Sequence, residues 1–119
     1  MKRRLNKAIC DYIKLLKKHY GDKILEAVLF GSAARGESNK ESDADILIVT
    51  SDSNTMVKDK ISMSAYEIML KNDVVLSPIV MDKNTFEWYR TNRDPLYKNI
   101  RKDGIDIWTR KQKNLLKSV

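Results

Sequence analysis

The sequence predicts a small α/β (α+β) domain, a mixed three- to four-stranded sheet packed with helices. Three observations carry this. Residues 3–20 place apolar groups at helical spacing. Residues 23–30 and 44–50 are short, dense runs of Ile, Leu, Val and Phe, too short for buried helices. The remainder alternates the two patterns in the order α-β-loop-β-α-β-α-α, without internal repeat, linker or low-complexity tract. At 119 residues the chain is the size of one small domain, and we read 1–119 as such.

The first helix rests on Leu5, Ile9, Tyr12, Ile13, Leu16 and Tyr20, and Gly21 stops it. Lys23 to Phe30 follows as a strand that ends at Gly31. From Gly31 to Ser42 the residues are small and polar, which predicts a loop with room for one helical turn. Ala44 to Thr50 is the second strand. After a polar connector, Asn54 or Thr55 can cap a helix that carries Val57, Ile61, Ala65, Ile68 and Met69 on one side and runs to about Lys71. Val74 to Met81 reads as a third strand, placed at an edge or locally irregular because Pro78 lacks an amide donor. Asn84 to Arg90 and the segment from Leu96 to before Gly104 are short helices, and Ile105 to Trp108 is a candidate last strand. The tail from Lys111 to Val119 is helical or frayed.

Composition narrows the function. Lys and Arg number 23 against 16 Asp and Glu, a formal charge of +7, which suits a polyanionic partner such as a triphosphate, an RNA or an acidic protein. Solvated lysine-rich helices explain the same charge as well. Cys10 is the only cysteine, so neither an internal disulfide nor a cysteine-rich zinc site can form. No apolar run approaches a membrane span. The expectation is a soluble, cytoplasmic protein whose larger sites are completed by a partner or a second copy.

The informative stretch is Gly31-Ser32-Ala33-Ala34-Arg35-Gly36, a polar gap, then Ser42-Asp43-Ala44-Asp45 and an apolar run. Alternate strand residues point the same way, about 6.5–7 Å apart, so Asp43 and Asp45 project two carboxylates from one face. Two like charges this close repel unless a cation lies between them. Carboxylate oxygens favour Mg²⁺ or Mn²⁺ over zinc. A glycine directly after a strand lets a phosphate approach the backbone, and Ser32 can add its hydroxyl and its amide as donors. A metal beside a phosphate cradle is what phosphoryl or nucleotidyl transfer needs.

At these residues the chain resembles the DNA polymerase beta-like nucleotidyltransferase superfamily, and within it the minimal nucleotidyltransferases, or MNT domains. Gly31, Ser32, Arg35, Gly36, Ser42, Asp43 and Asp45 all match their motif. The resemblance implies a nucleotidyltransferase fold and an enzyme. Asp43 and Asp45 would be its catalytic and metal-holding residues, and Gly31, Ser32 and Arg35 would meet the nucleotide, ATP first among the triphosphates. Arg35 has a second reading, as a brace of the loop, which we prefer. The family often carries a third carboxylate on the next strand. The corresponding place here, Val75 to Ser77, has no acid. Asp73 and Asp82 flank it, and each reads equally as a solvated strand-end residue.

The resemblance also implies a partner. MNT domains are frequently paired with an all-helical HEPN toxin, so the acceptor would be a hydroxyl on that protein. The alternative is a weakly or non-catalytic module that neutralises the toxin by binding, and homo-oligomers fit either reading. Nucleic acid ranks last as a partner, because no aromatic-basic stacking pattern accompanies the charge in the sequence. Tyr66, Trp88 and Trp108 read as packing residues, His19 as a surface residue, and Tyr97 has no assigned role.

Overall fold

The fold is that of a computed structural model, which describes residues 2–36 and 44–109. Asp43, Ser42, Glu41, Glu37 and the tail from Lys111 lie outside the described residues.

Helix α1 (Lys2–Tyr20) buries Ile9, Tyr12, Ile13 and Leu16 almost completely. Its last turn carries Lys17, Lys18 and His19, which complement the helix dipole. Gly21, at φ +34°, starts the 3-10 turn Gly21–Lys23 that leads into β1 (Ile24–Phe30). Strand β2 (Ala44–Thr50) runs antiparallel to β1. The pairing slips at Leu25, which turns this leucine partly to solvent at 43% exposure.

The helix expected to run from residue 54 or 55 to about Lys71 is two: α2 (Thr55–Met63), capped by the Asn54 side chain, and α3 (Ala65–Asn72). The break falls at Ser64, whose hydroxyl donates to the Lys60 carbonyl at 2.8 Å and competes with the helical ladder there. Strand β3 begins at Leu76, not at Val74, and ends at Asp82. The reason is Asp73, which adopts a left-handed conformation (φ 54°) and closes α3, its amide donating to the Met69 carbonyl at 2.8 Å. Helices α4 (Lys83–Thr91) and α5 (Pro95–Asp103) follow, and β4 is only Ile105–Asp106, because Ile107 onward leaves the ladder after one further bond to Ala27.

The sheet order is β3-β2-β1-β4, with β2 and β3 parallel and the other pairs antiparallel. Pro78 thus sits on an edge strand, in regular register with Ile46, where its missing donor costs nothing. Alternation divides the sheet into two faces. Ala27, Leu29, Ala44, Ile46, Ile48 and Leu76 pack under α1, α2 and α3. Phe30, Leu47, Val49 and Met81 pack under α4 and α5, with Ile100, Phe86, Tyr89 and Leu96.

Two polar links fix α1 to its neighbours. The buried Tyr12 hydroxyl donates to the Ile61 carbonyl at 2.6 Å, and burial pushes its pKa up. Asp11 accepts from Lys7 at 2.9 Å and from Asn72 at 3.2 Å; burial alone would raise its carboxyl, yet these donors hold it below the ordinary range. Among the described residues no helix is long and apolar enough to cross a membrane.

Candidate active site

Asp45 is the one residue of β2 that is not buried. It shares a face with Leu47 and Val49, so it stands where the α4/α5 side of the sheet opens at the start of the strand. The register sets its neighbours: Phe30 opposite on β1 and Ser77 opposite on β3. Ser77 therefore occupies the position facing Asp45 from the next strand. The sequence bracketed that position as Val75 to Ser77, and the pairing narrows it to one residue, which is not an acid.

Directly after β1, Gly31 takes φ +78°. A Cβ built on it would lie 2.5 Å from Asp45 Oδ2. The glycine is thus required twice, for its left-handed backbone and for the carboxylate seated against it. Sequence reasoning reserved this bare backbone for a phosphate; in the fold it also admits the acid. The chain then makes one helical turn, with the Arg35 amide donating to the Gly31 carbonyl and the Gly36 amide to the Ala33 carbonyl, both at 3.2 Å. Ala33 and Ala34 pack against the core and hold this turn down. The amides of Ser32 and Ala33 lie at its N-terminal end, where helical bonding does not use them. Ser32 is half-buried there, beside the seat of Asp45.

Arg35 points to α5: its Nη1 meets Asp103 Oδ2 at 2.9 Å. The side chain of Asp103 is 13% exposed, so this pair ties the Gly31–Gly36 turn to the end of α5. Asp103 was not a sequence candidate, and no local signal could have found it, since the pair joins residues 68 apart.

The flanking acids lie elsewhere. Asp73 is at the helix cap, its side chain 94% exposed and 3.3 Å from Arg4. Asp82 is at the opposite end of β3, paired with Thr50, and it accepts from the Thr85 hydroxyl at 2.5 Å. Among the described residues no group of three His, Cys, Asp or Glu side chains could hold a metal. Asp45, in its glycine cradle, supplies carboxylate oxygens of the kind a hard cation takes.

The aromatic expectations divide. Trp108 packs half-buried with Lys17 over its ring, as a packing residue should. Tyr66 and Trp88 do not: they are 62% and 56% exposed, because each falls on the outward side of its helix.

A family model described as a nucleotidyltransferase domain matches residues 9–117. A relative in Methanocaldococcus jannaschii, named as a candidate protein adenylyltransferase, is 40% identical over 80 residues, which is 63% of this chain and 81% of the relative. A second from the same organism, with the same name, is 39% identical over 80 residues, 67% of this chain and 76% of its own. Among solved structures, a toxin–antitoxin crystallised with AMP-PNP superposes with a TM-score of 0.58 at 18% identity, over 92% of this chain and 82% of that one. A Sulfolobus solfataricus protein named as a candidate nucleotidyltransferase gives 0.57 at 23% identity, over 92% and 84%. The MNT antitoxin complex with the tri-AMPylated HEPN toxin of Shewanella oneidensis gives 0.52 at 18%, over 98% and 79%.

Proposed function

The chain belongs to the nucleotidyltransferase domain family, and from that premise we propose that it binds Mg-ATP and transfers AMP to a hydroxyl on a protein partner. The observation that carries this reading is the Asp45 carboxylate seated against the bare backbone of Gly31. Asp43 and Asp45 would hold the Mg²⁺ (or Mn²⁺) that accompanies the triphosphate and supplies charge neutralisation on its phosphates. The Ser32 hydroxyl and the amides of the turn would donate to phosphate oxygens, and Arg35, through Asp103, keeps that turn in place.

In the transfer the acceptor oxygen bonds to the α-phosphorus as the bond to the pyrophosphate oxygen breaks. The hydroxyl proton passes to solvent and pyrophosphate leaves. The site's share of the rate comes from positioning and from fixed donors around the phosphates. The names of the relatives support adenylyl transfer to protein. The toxin–antitoxin neighbours support an all-helical HEPN protein as acceptor, and a tyrosine hydroxyl is the group we assign to the attack.

Ser77 favours a slow version of this chemistry. A serine opposite Asp45 leaves that position of β3 without a carboxylate. Tight triphosphate binding with slow transfer, or neutralisation of the partner by binding alone, follows from that.

The test is calorimetry with ATP in Mg²⁺ and in EDTA, beside transfer of label from α-phosphate-labelled ATP to a co-expressed helical partner. Binding should require the divalent ion, and Asp43→Asn with Asp45→Asn should abolish that requirement while the fold survives. Equal ATP affinity with and without the ion would sink the reading.

A further inference from the structure

A second charged feature lies away from Asp45. The end of α4, the link to α5 and the outer side of α5 border a shallow, open cleft of about 800 Å³. Arg90, Arg93, Tyr97, Lys98, Arg101 and Lys102 line it, with Thr91. Among the described residues no carboxylate lines it; Glu87, hydrogen-bonded to Arg90 at 2.5 Å, lies beside it, and Asp94 and Asp103 follow Arg93 and Lys102 in the chain. Lys98, Arg101 and Lys102 share one face of α5 through their i, i+3, i+4 spacing.

Arg93 takes a left-handed backbone, φ 50°, because it closes α4: its amide donates to the Arg90 carbonyl at 3.2 Å and the Asp94 amide to the Tyr89 carbonyl at 3.1 Å. This helix end places the Arg93 guanidinium on the cleft wall.

We propose that this cleft binds single-stranded RNA along its phosphate backbone. Guanidinium groups meet phosphate oxygens two at a time; of the five cations three are arginines, and Arg93 and Arg101 offer that fork while Arg90 engages Glu87. The Tyr97 ring, held against Phe86 at 5.8 Å between centroids, forms part of the wall, and an aromatic ring among cations is how single strands are held without sequence preference. The pattern is invisible along the sequence because two helices and their link assemble it. Helix α5 carries both features, since Arg101 and Lys102 immediately precede the Asp103 that clamps Arg35. The proposal stands independently of nucleotidyl transfer.

The test is fluorescence anisotropy of the full chain with a fluorescein-labelled ten-nucleotide oligouridylate across a range of KCl. Four to five phosphates neutralised at about 0.7 each give a slope of log affinity against log salt of about −3. The triple variant Arg93→Ser, Arg101→Ser, Lys102→Ser should flatten the slope by about 2 and weaken binding at least tenfold. All three side chains are exposed, and a thermal melt checks that the fold is kept. Lys14→Ser with Lys18→Ser, on the exposed side of α1 across the sheet, should change neither. An equal loss in that control would reduce the binding to bulk charge and overturn the proposal. Unlabelled polyphosphate or polyglutamate of matched charge should compete worse than oligouridylate. Competition equal to the RNA by polyphosphate would assign the cleft to any polyanion, and by polyglutamate to an acidic protein surface; either overturns it.

Discussion

Gly31→Ala isolates the contact on which the candidate site is built. The new methyl would sit 2.5 Å from Asp45 Oδ2, against an ordinary contact of about 3.5 Å, so the carboxylate must retreat by about an ångström. Two costs are separable. An L-residue at φ +78° costs about 1–2 kcal/mol whatever the surroundings. The overlap adds about 1–3 kcal/mol, the scale of an overpacked site. Together they predict a loss of about 2–5 kcal/mol by urea denaturation, with metal-dependent ATP binding reduced because Asp45 is displaced. The same substitution in an Asp45→Ala background should cost only the backbone share, about 1–2 kcal/mol, since the colliding oxygen is gone. Denaturation of the four proteins gives the coupling, and calorimetry on the single variant gives the loss in binding. An equal cost in both backgrounds would show that Gly31 does not seat Asp45, and the geometric basis of the site would fail with it.

Other perturbations follow from the same description. Ser32→Ala should weaken ATP binding by about 1–2 kcal/mol in calorimetry and leave AMP binding nearly unchanged; an equal loss for both would make Ser32 structural. Asp73→Asn should leave adenylyl transfer to the partner at its parent rate, because this carboxylate is exposed beside Arg4; a large rate loss would place it in the site after all. The Thr85 hydroxyl, with Lys58 behind it, holds the Asp82 carboxyl below its ordinary range. A folded pKa below the unfolded value, about 4, makes this stabilisation complete above that value and lost as pH falls through the lower folded one. Thr85→Ala should therefore show a smaller drop in Tm than the parent between pH 6 and pH 3. A drop of the same size would detach the acid sensitivity from this pair.

Sequence alone determined the order of the elements and the family to which the motif belongs. Both are local. Helical spacing from Leu5 to Leu16, the dense runs before Gly31 and after Asp43, and the cap at Asn54 act within a few residues, so they read directly. Pro78 announced a strand either at an edge or irregular, because a missing donor is a property of the residue itself, and the sheet order chose the edge. Boundaries were less legible where a side chain overrode the periodic pattern, as Ser64 does by bonding back to Lys60 and Asp73 by closing α3 in a left-handed turn.

Only the tertiary structure decided what meets what. Parallel pairing of β2 with β3 placed Ser77 opposite Asp45, and a shift of one residue would have turned a different side chain inward. Arg35 found Asp103, and Asp73 found Arg4, across 68 and 69 residues of chain. The exposure of Tyr66 and Trp88 and the cationic cleft between α4 and α5 depend on how helices roll against the sheet. Periodicity names the apolar side of a helix, but the depth of its burial and the company of its polar side are set by packing between distant segments.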